Sequence, residues 1–317
     1  MVGGNLVRYL LTQGCSVRAL IHQDRRALEG LDVETVSADL TNPDSLIQAF
    51  TGAITVYHLA SSISIRMDNW DELKQINVDG TQNVIDACLH CGVQKLIYFS
   101  SIHAYQQEPY HQILDEDRPL LSGSSIPPYE RSKVAAERLA RQAPDRGLTT
   151  ITIIPTAIIG PNDFRPSFVG QAINLLASRH IPALVHGGYD WADVRDIVKG
   201  ARQAEVRGKS GERYILSGHW HSLLDVARIS SKYTGIPAPQ VVVPLWLAYL
   251  FQPIMAKLAH INNSQPIYTK AMLGAIRSNR LISHAHATHD LGYSPRPFEE
   301  TIQDTIEWMT KRGEEKT

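Results

Sequence analysis

The sequence predicts an α/β fold in which a doubly wound parallel sheet is followed by a smaller, mostly helical lobe. Strand and helix signals alternate along the first half of the chain, and repeated strand–helix units place successive strands parallel to one another. The run Ile151-Thr152-Ile153-Ile154 is typical of a strand that helices cover on both faces. The alternation weakens beyond Pro155, so we expect a sheet domain over residues 1–160 and a substrate lobe over 161–317, with segments returning to the sheet.

Periodicity and turn residues predict the individual elements. Gly14 separates a helix over 4–12 from a strand over 16–21, and Pro43 starts a helix that ends at Phe50. The other elements of the first half are strands over 33–37, 53–59, 95–99 and 149–154, and helices over 69–88 and 129–142. In the second half we expect a strand over 213–216, a turn at 219–221, and helices over 222–234, 245–260 and 298–312.

The composition excludes several classes of protein. The 317 residues carry a net charge of −1 and have a pI of about 6.9, which favours neither nucleic acid nor an anionic membrane as a partner. Three cysteines are too few for a disulfide scaffold and indicate a reducing, cytoplasmic location. Polar residues interrupt the apolar run at the start of the chain, so we expect no signal or transit peptide there.

One apolar stretch, residues 241–259, allows two interpretations. It contains Trp246, but Pro253 and Lys257 interrupt it, and it is barely long enough to span a bilayer. We therefore expect no integral membrane span. A helix that lines an apolar pocket is favoured over a helix that contacts a membrane surface.

The most informative motif is Tyr129-Glu130-Arg131-Ser132-Lys133, at the start of a predicted helix. Its spacing sets the tyrosine and the lysine on one helical face, one turn apart. An ammonium beside a phenol stabilises the phenolate and lowers the tyrosine pKa towards the range of a general acid or base. Tyr129 is the only one of the 12 tyrosines with a lysine at the fourth position after it.

Residues at strand ends extend this candidate site. Ligands of parallel sheets bind beyond the carboxyl ends of the strands. Four residues stand at such ends and are expected to lie along one edge of the sheet, near the tyrosine–lysine pair: Asp39, Ala60, Ser101 and Pro155.

Several short motifs occur in an order and spacing that are specific as a set. They are Val17-Arg18-Ala19-Leu20, Ala38-Asp39-Leu40, His58-Leu59-Ala60-Ser61, Asn77-Val78-Asp79-Gly80-Thr81, Ser100-Ser101, the Tyr129/Lys133 pair, Gly160-Pro161 and Asp290-Leu291-Gly292-Tyr293-Ser294-Pro295. Together they resemble the extended short-chain dehydrogenase/reductases, also called the NAD-dependent epimerase/dehydratase family, over nearly the whole chain. The most similar branch contains dihydroflavonol-4-reductase-like enzymes, 3β-hydroxysteroid dehydrogenases and hopanoid-associated sugar epimerases. The resemblance implies a Rossmann-like, NAD(P)-binding domain.

The beginning of the chain departs from the family pattern. The family opens with a strand and a Gly-x-x-Gly-x-x-Gly turn, which receives the pyrophosphate at a helix N-terminus. Here the chain starts Met1-Val2-Gly3-Gly4-Asn5, in which Gly3 matches the third glycine, while the first strand and the first two glycines are missing. We expect either a start assigned too late or a short form with weak cofactor binding. In both cases backbone groups beside the missing strand should be unpaired.

The resemblance implies roles for the matching residues. Tyr129 would be the acid/base, and Lys133 would bind the nicotinamide ribose and lower the Tyr129 pKa. Ser101, four residues before Tyr105 as in relatives, would hold the substrate oxygen. A strand-end cap is the alternative role of Ser101, and a purely structural bond is the alternative role of Asn77. The residues expected at the cofactor are Gly3, Arg25, Asp39, Leu40, Ala60, Asn77, Tyr129, Lys133, Pro155 and Thr156.

Residues after the strand over 16–21 favour NADP over NAD as the cofactor. His22 stands where related reductases carry an arginine, and Arg25 and Arg26 follow closely enough to grip a 2′-phosphate. Asp24 is the nearest carboxylate for a free ribose hydroxyl. NAD remains the alternative, with the two arginines as a solvated loop pair.

Two departures from the relatives decide the expected chemistry. Ile102-His103 replaces the Asp-Glu pair of sugar dehydratases, and Tyr105-Gln106 replaces the Tyr-Gly of many epimerases. We therefore expect an oxidoreductase that moves a hydride between nicotinamide and the carbonyl or secondary alcohol of a small, fairly apolar substrate. The alternatives are an NAD-dependent nucleotide-sugar epimerase, with Arg277 and Arg280 binding a diphosphate, and a non-catalytic form with impaired cofactor binding.

No metal site is expected from the sequence. Cys88 and Cys91 form an isolated pair, and His284, His286 and His289 do not line one helix face. The resemblance further implies a homodimer that pairs the helices over 69–88 and 129–142.

Overall fold

The computed structural model describes residues 1–22, 24–63, 69–123, 125–165, 183–261 and 270–314, with Ser167, Gly170, Gln171 and Ile173. The first half runs α1 (Val2–Thr12), β1 (Arg18–Ile21), β2 (Glu34–Ser37), α2 (Pro43–Phe50), β3 (Thr55–His58), α3 (Trp70–Leu73), a π-helix (Lys74–Asp79), α4 (Gly80–His90), β4 (Lys95–Phe99), α5 (Pro128–Gln142) and β5 (Thr149–Pro155). The second half runs β6 (Ala157–Ile159), β7 (Ala183–Val185), β8 (Gly188–Asp193), α6 (Val194–Arg207), β9 (Arg213–Leu216), β10 (His219–Ser222), α7 (Leu223–Thr234), β11 (Val241–Val243), α8 (Leu245–Ile261), α9 (Lys270–Ile276), α10 (Ala285–Leu291) and α11 (Phe298–Glu314).

A parallel sheet in the order β3-β4-β5-β9 organises the molecule. Tyr98 of β4 pairs with Thr152 of β5, and Ile154 pairs with Ile215 of β9, so a segment from the second half completes the sheet. β1 and β2 form a separate parallel pair. Over the residues that the structure describes, β1 pairs only with β2 and β3 only with β4.

Helices cover both faces of the four-stranded sheet, in agreement with the doubly wound prediction. On one face, Tyr98 packs with Val84 of α4 and Ala136 of α5. On the other face, Ile153 packs with Ile197 of α6. Burying a large aliphatic or aromatic side chain in this way stabilises a fold by about 1.5–3 kcal/mol, so the continuous burial of β4 and β5 on both faces accounts for their central place.

The predicted long helix over 69–88 is interrupted. α3 leads into a π-helix over Lys74–Asp79, and α4 begins only at Gly80. A Cβ at Gly80 would lie 3.0 Å from the Cβ of Leu40, so glycine allows the start of α4 to pack against the segment after β2. The wider turn places Asn77 in the interior, and π-turns of this kind are common at functional sites.

The second lobe contains short strands as well as helices. β8 lies between β6 and β10, and β11 pairs with β7. The predicted turn at 219–221 is wrong, because His219–Ser222 pairs antiparallel with β8 and Trp191 Nε1 donates to the His221 carbonyl oxygen at 3.0 Å. Gly160 follows β6 with a φ of 145°, and a Cβ there would lie 2.6 Å from Val194 Cγ1, so this turn requires glycine.

Candidate active site

The centre of the candidate active site lies between the end of β4 and the first turns of α5. α5 begins at Pro128, and proline suits this first position because its missing N–H would have no intrahelical partner there. Tyr129 and Lys133 follow, and both side chains lie towards the end of β4. The structure thus brings together Ser101, Tyr129 and Lys133, the three residues that the sequence suggested for catalysis.

Ser101 contacts Tyr129 and also caps a turn. Its side chain is close enough to the Tyr129 hydroxyl to act on the pKa of that phenol. Its Oγ accepts a hydrogen bond from the N–H of His103 at 3.2 Å, at the start of the 3₁₀ turn Ile102–Ala104. The buried Ser101 hydroxyl therefore has the capping role that was one of its two expected roles, and its role in holding the substrate oxygen stays a prediction.

The surroundings of Tyr129 keep its hydroxyl protonated. Burial raises the pKa of Tyr129 to about 12, the Ser101 hydrogen bond acts in the opposite direction, and the Glu130 carboxylate raises the pKa further. This differs from the expectation that Lys133 would lower the pKa. The reason is that Lys133 Nζ donates to the Phe99 carbonyl oxygen at 3.0 Å, so the ammonium points at the strand end. A protonated phenol is suited to donate a proton to a substrate oxygen.

Lys133 is a buried cation with donors to spare. Burial lowers its pKa to about 8, while the carboxylate of Glu137, one turn further along α5, opposes this shift. Its ammonium has three protons, and the carbonyl of Phe99 is its one hydrogen-bond partner among the described residues. The remaining donors are available to a bound ligand.

Asn77 ties the loop after β3 to the catalytic helix. Its Oδ1 accepts from the N–H of Ser62 at 2.7 Å and from the Ser61 hydroxyl at 3.1 Å. Its Nδ2 donates to the Ser62 carbonyl oxygen and to the Ser132 hydroxyl, both at 2.9 Å. Ser132 lies between Tyr129 and Lys133, so this buried amide supports the site mechanically, which was one of the two roles left open for it.

Glu137 is a buried residue that the sequence analysis missed. Its carboxylate accepts hydrogen bonds from the Ser100 hydroxyl and, at 2.5 Å, from the Tyr105 hydroxyl. Arg141 Nη2 lies 2.5 Å from the same carboxylate. Ser100 and Tyr105 flank the turn that carries Ser101, so Glu137 fixes both ends of that turn. Its position one turn after Lys133, on the same face of α5, was the available signal.

The start of α1 fits the phosphates of a dinucleotide. Val2 and Leu59, the residue that directly follows β3, pack against the same buried clusters, which brings the start of α1 close to the carboxyl end of β3. No atom lies within 4 Å of the place where a Gly3 side chain would begin, which leaves this surface open. The first N–H groups of a helix lack intrahelical acceptors and favour an anion. Asn5 Nδ2 donates to the Pro161 carbonyl oxygen at 3.0 Å and thereby joins α1 to the loop after β6.

Asp39 and Leu40 follow β2, and the exposed Ala60 follows β3, as predicted. Asp39 Oδ1 accepts hydrogen bonds from the N–H and the hydroxyl of Thr41, both at 2.8 Å, and these bonds lower the Asp39 pKa. The Leu40 carbonyl oxygen accepts from Asn83 Nδ2 at 2.8 Å. The roles of Asp39, Leu40 and Ala60 at the cofactor stay predictions.

Of the two arginines after β1, Arg26 is bound by a carboxylate of the described part of the chain and Arg25 is not. Arg26 is held by Asp24, with Nε at 2.9 Å and Nη2 at 2.5 Å from the carboxylate oxygens. Arg25 is exposed, and its side chain makes no hydrogen bond or ion pair with the described residues. Of this pair, Arg25 is therefore the cation free to bind a ligand.

Pro155 and Thr156 stand at the end of β5, but the Thr156 hydroxyl is engaged elsewhere. It donates to Asp190 Oδ1 at 2.6 Å, and the same oxygen accepts from the N–H of Gly218 at 2.7 Å. Burial raises the Asp190 pKa. These bonds join the main sheet to β8, so the Thr156 side chain acts as a structural link. Of the two residues, Pro155 is the one that remains at the strand end without such a link.

Other chemistry-bearing residues are not assembled into sites. Within the described ranges, no group of three or more His, Cys, Asp or Glu side chains is placed to hold a metal ion. Arg277 lies over the Tyr110 ring at 5.0 Å, and Arg280 lies over the Trp220 ring at 4.3 Å. Both arginines, proposed as ligands of a sugar diphosphate, are thus already stacked on aromatic rings.

Comparison with known proteins decides the family. The model of the NAD dependent epimerase/dehydratase family matches residues 1–216. The chain belongs to this family. Membership confirms the predicted Rossmann-like fold, an enzyme of the extended short-chain dehydrogenase/reductase type, and NAD as the general cofactor of the family.

Several family members match the whole chain. A Synechocystis sp. protein named "Putative dihydroflavonol 4-reductase" is 31% identical over 322 residues, which cover 100% of this chain and 94% of the relative. Sterol demethylase protein B of Methylococcus capsulatus is 31% identical over 320 residues, which cover 98% of this chain and 96% of the relative. The crystal structure of gox2253 matches with a TM-score of 0.85 at 32% identity, over 99% of this chain and 96% of that chain.

Proposed function

We propose that this family member is an NADP-preferring oxidoreductase that acts on the carbonyl or secondary alcohol of a small, fairly apolar substrate. The observation that carries this proposal is the contact between Tyr129 and Ser101 at the end of β4, with the buried ammonium of Lys133 nearby. When bound, the nicotinamide dinucleotide supplies or accepts the hydride. The side chains of this enzyme bind the substrate oxygen and move its proton.

Each catalytic side chain has one task in this proposal. The Ser101 hydroxyl donates a hydrogen bond to the substrate oxygen and stabilises the negative charge that develops there. Tyr129 donates its proton to the same oxygen during reduction and removes it during oxidation. Lys133 binds the nicotinamide ribose through the ammonium protons that the Phe99 carbonyl oxygen leaves free.

The names of two relatives support a substrate of low polarity. Dihydroflavonols and sterols, after which these relatives are named, are ring compounds that carry few charged groups. The stacking of Arg277 and Arg280 on aromatic rings gives less support to a nucleotide-sugar diphosphate. We also propose that the enzyme is cytoplasmic, consistent with its three free cysteines, and that it forms a homodimer through α4 and α5.

The test of the function is steady-state oxidation of NADPH and NADH in the presence of ketones of increasing apolar area. We expect turnover that depends on the ketone and is faster with NADPH. A nucleotide-sugar epimerase would instead retain tightly bound NAD through purification and would show no net oxidation of added cofactor. A folded protein that binds neither nucleotide would establish the non-catalytic alternative.

Arg25→Ser is expected to weaken NADPH binding by about 10–100-fold and to change NADH binding little, because a charged hydrogen bond to the 2′-phosphate contributes about 1.5–3 kcal/mol. Titration followed by nicotinamide fluorescence measures both affinities. Arg26→Gln is the matched control, since Asp24 already holds that guanidinium, and it should have the smaller effect. Equal losses for the two nucleotides in Arg25→Ser would contradict the NADP preference.

The pH profile should report the ionisation of Lys133. Its pKa of about 8 is below the ordinary lysine value of 10.5, so the folded enzyme loses the ammonium as the pH rises through 8. We expect kcat/KM to fall about tenfold per pH unit above that point. Tyr129, with a pKa of about 12, stays protonated in this range and does not cause the decline. Lys133→Arg keeps the charge, so an alkaline limb that remains at pH 8 in this variant would disprove the assignment.

A further inference from the structure

Helix α8 presents an apolar surface that no described residue covers. Its inner side packs on the body of the protein, where Leu245 and Ala248 contact the cluster formed by β7 and α9. On its outer side Trp246 is 68% exposed, Leu250 is 61% exposed and Phe251 is 48% exposed. A helix that is apolar on all sides is normally buried or in contact with lipid, and a contiguous exposed apolar patch marks an interaction site.

The chain around α8 carries only positive charge. Between Asp225 and Asp290 the sequence contains six lysine and arginine residues and no aspartate or glutamate. The whole chain has a net charge of −1, so this segment is strongly basic against an acidic remainder. Lys257 is exposed, and its spacing from Trp246 and Leu250 places it on the same helix face. The apolar patch therefore shares its helix face with the cation of Lys257, within a segment that has no carboxylate, and it matches an anionic apolar boundary.

We propose that α8 docks on the surface of an anionic lipid bilayer. Trp246, Leu250 and Phe251 insert between the head groups and the acyl chains, and Lys257 binds the anionic head groups. α8 has 17 residues, fewer than the roughly 20 that a spanning helix needs. No described helix is long and apolar enough to cross a membrane, so α8 lies in the plane of the interface.

Docking brings an open cleft to the bilayer surface. A cavity of about 680 Å³ is lined by Glu108, Pro109, Tyr110, His111 and Arg277. Tyr249 of α8 is close enough to Tyr110 to contribute to raising its pKa, a shift caused mainly by burial. The cleft residues 108–111 follow the turn of Ser101 closely along the chain. An apolar substrate dissolved in the bilayer would thus enter beside the turn that carries Ser101. This route for the substrate rests on the proposed function, but the docking of α8 on the bilayer is independent of it.

Flotation with vesicles tests the proposal on the full chain, without cofactor. We expect the protein to float with vesicles of phosphatidylcholine and phosphatidylglycerol and to float less with phosphatidylcholine alone. The triple variant Trp246→Ser, Leu250→Ser, Phe251→Ser should lower the partition coefficient by roughly 100-fold, because three apolar insertions are lost. Lys257→Glu should weaken binding to the anionic vesicles and leave binding to phosphatidylcholine unchanged.

The matched control replaces exposed apolar residues elsewhere. Ile54 and Val206 are 65% and 59% exposed outside α8, so Ile54→Ser with Val206→Ser should float as the unmodified protein does. All variants change exposed side chains, so their thermal unfolding and NADPH binding should match the parent. Absence of flotation with anionic vesicles, or flotation of the triple variant equal to the parent, overturns the proposal. In another outcome, the parent binds no vesicles and sediments as a dimer, and the triple variant sediments as a monomer. That result would assign the patch to contact with a second copy of the chain, and it would also overturn the proposal.

Discussion

Replacing Tyr129 by phenylalanine is expected to lower kcat/KM for ketone reduction by about 10²–10⁴-fold, the usual contribution of a positioned general acid. The variant removes one oxygen atom, the one that contacts Ser101 and has a pKa near 12 in the folded protein. With that pKa the phenol is protonated at any pH of practical interest, so under the proposed function it is able to donate the proton that reduction requires. The rest of the ring remains, and dinucleotide affinity should change little. Steady-state kinetics and nucleotide titration of the same preparation separate the two effects.

Tyr98→Phe provides a matched control for this variant. Tyr98 is a buried tyrosine on β4, and its hydroxyl has no hydrogen-bond partner among the described residues. Removing its oxygen therefore deletes the same atom from a nearby interior position without deleting a contact, and we expect kcat/KM to stay within about threefold of the parent. Equal losses in the two variants would show that Tyr129 acts through packing, and full activity of Tyr129→Phe would exclude it as the acid.

The sequence predicted the central sheet well because its signals are local. β4, Lys95–Phe99, and α2, Pro43–Phe50, have the predicted bounds, since an apolar run or a proline start marks each of them. The interrupted helix over 69–88 could not be predicted in the same way. Asn77 sits in a π-turn because it bonds to Ser62 and Ser132, which are 15 and 55 residues away in the chain. No window of helical periodicity contains those partners.

In the candidate site, too, the features set by sequence spacing were predictable, and the features set by tertiary packing were not. The spacing of Tyr129 and Lys133 on α5 predicted that they share a face, and they do. Their electrostatics depended on what packs around them: burial raises the Tyr129 pKa, and the Phe99 carbonyl group draws the Lys133 ammonium to the strand end. Burial and strand-end contacts are tertiary properties, so the expected lowering of the Tyr129 pKa was wrong in direction, while the catalytic role of the pair stays a prediction.

Replacing Glu137 by leucine is expected to lower the free energy of unfolding by about 3 kcal/mol, the lower end of the range for breaking a buried ion pair, because Arg141 is one-third exposed and recovers some hydration. The carboxylate itself is fully buried, and it is the acceptor for the hydroxyls of Ser100 and Tyr105. Leucine fills a similar volume and accepts no hydrogen bond, so both hydroxyls lose their acceptor in the interior, and the Tyr105 hydroxyl keeps only the hydrogen bond that it accepts from Arg141 Nη2. Urea unfolding followed by circular dichroism measures the change in midpoint.

The comparison with an exposed pair decides whether burial is the cause. Glu299 contacts Lys232 at 2.8 Å on the surface, and Glu299→Leu should leave the urea midpoint unchanged, because solvated ion pairs contribute little. Glu137→Gln keeps an acceptor for one hydroxyl and should fall between the parent and Glu137→Leu. If Glu137→Leu unfolds at the same urea concentration as Glu299→Leu, the carboxylate does not hold the two ends of the Ser101 turn. If only the buried variants are destabilised, the turn that presents Ser101 to Tyr129 is anchored from α5, the helix that also carries Tyr129 and Lys133.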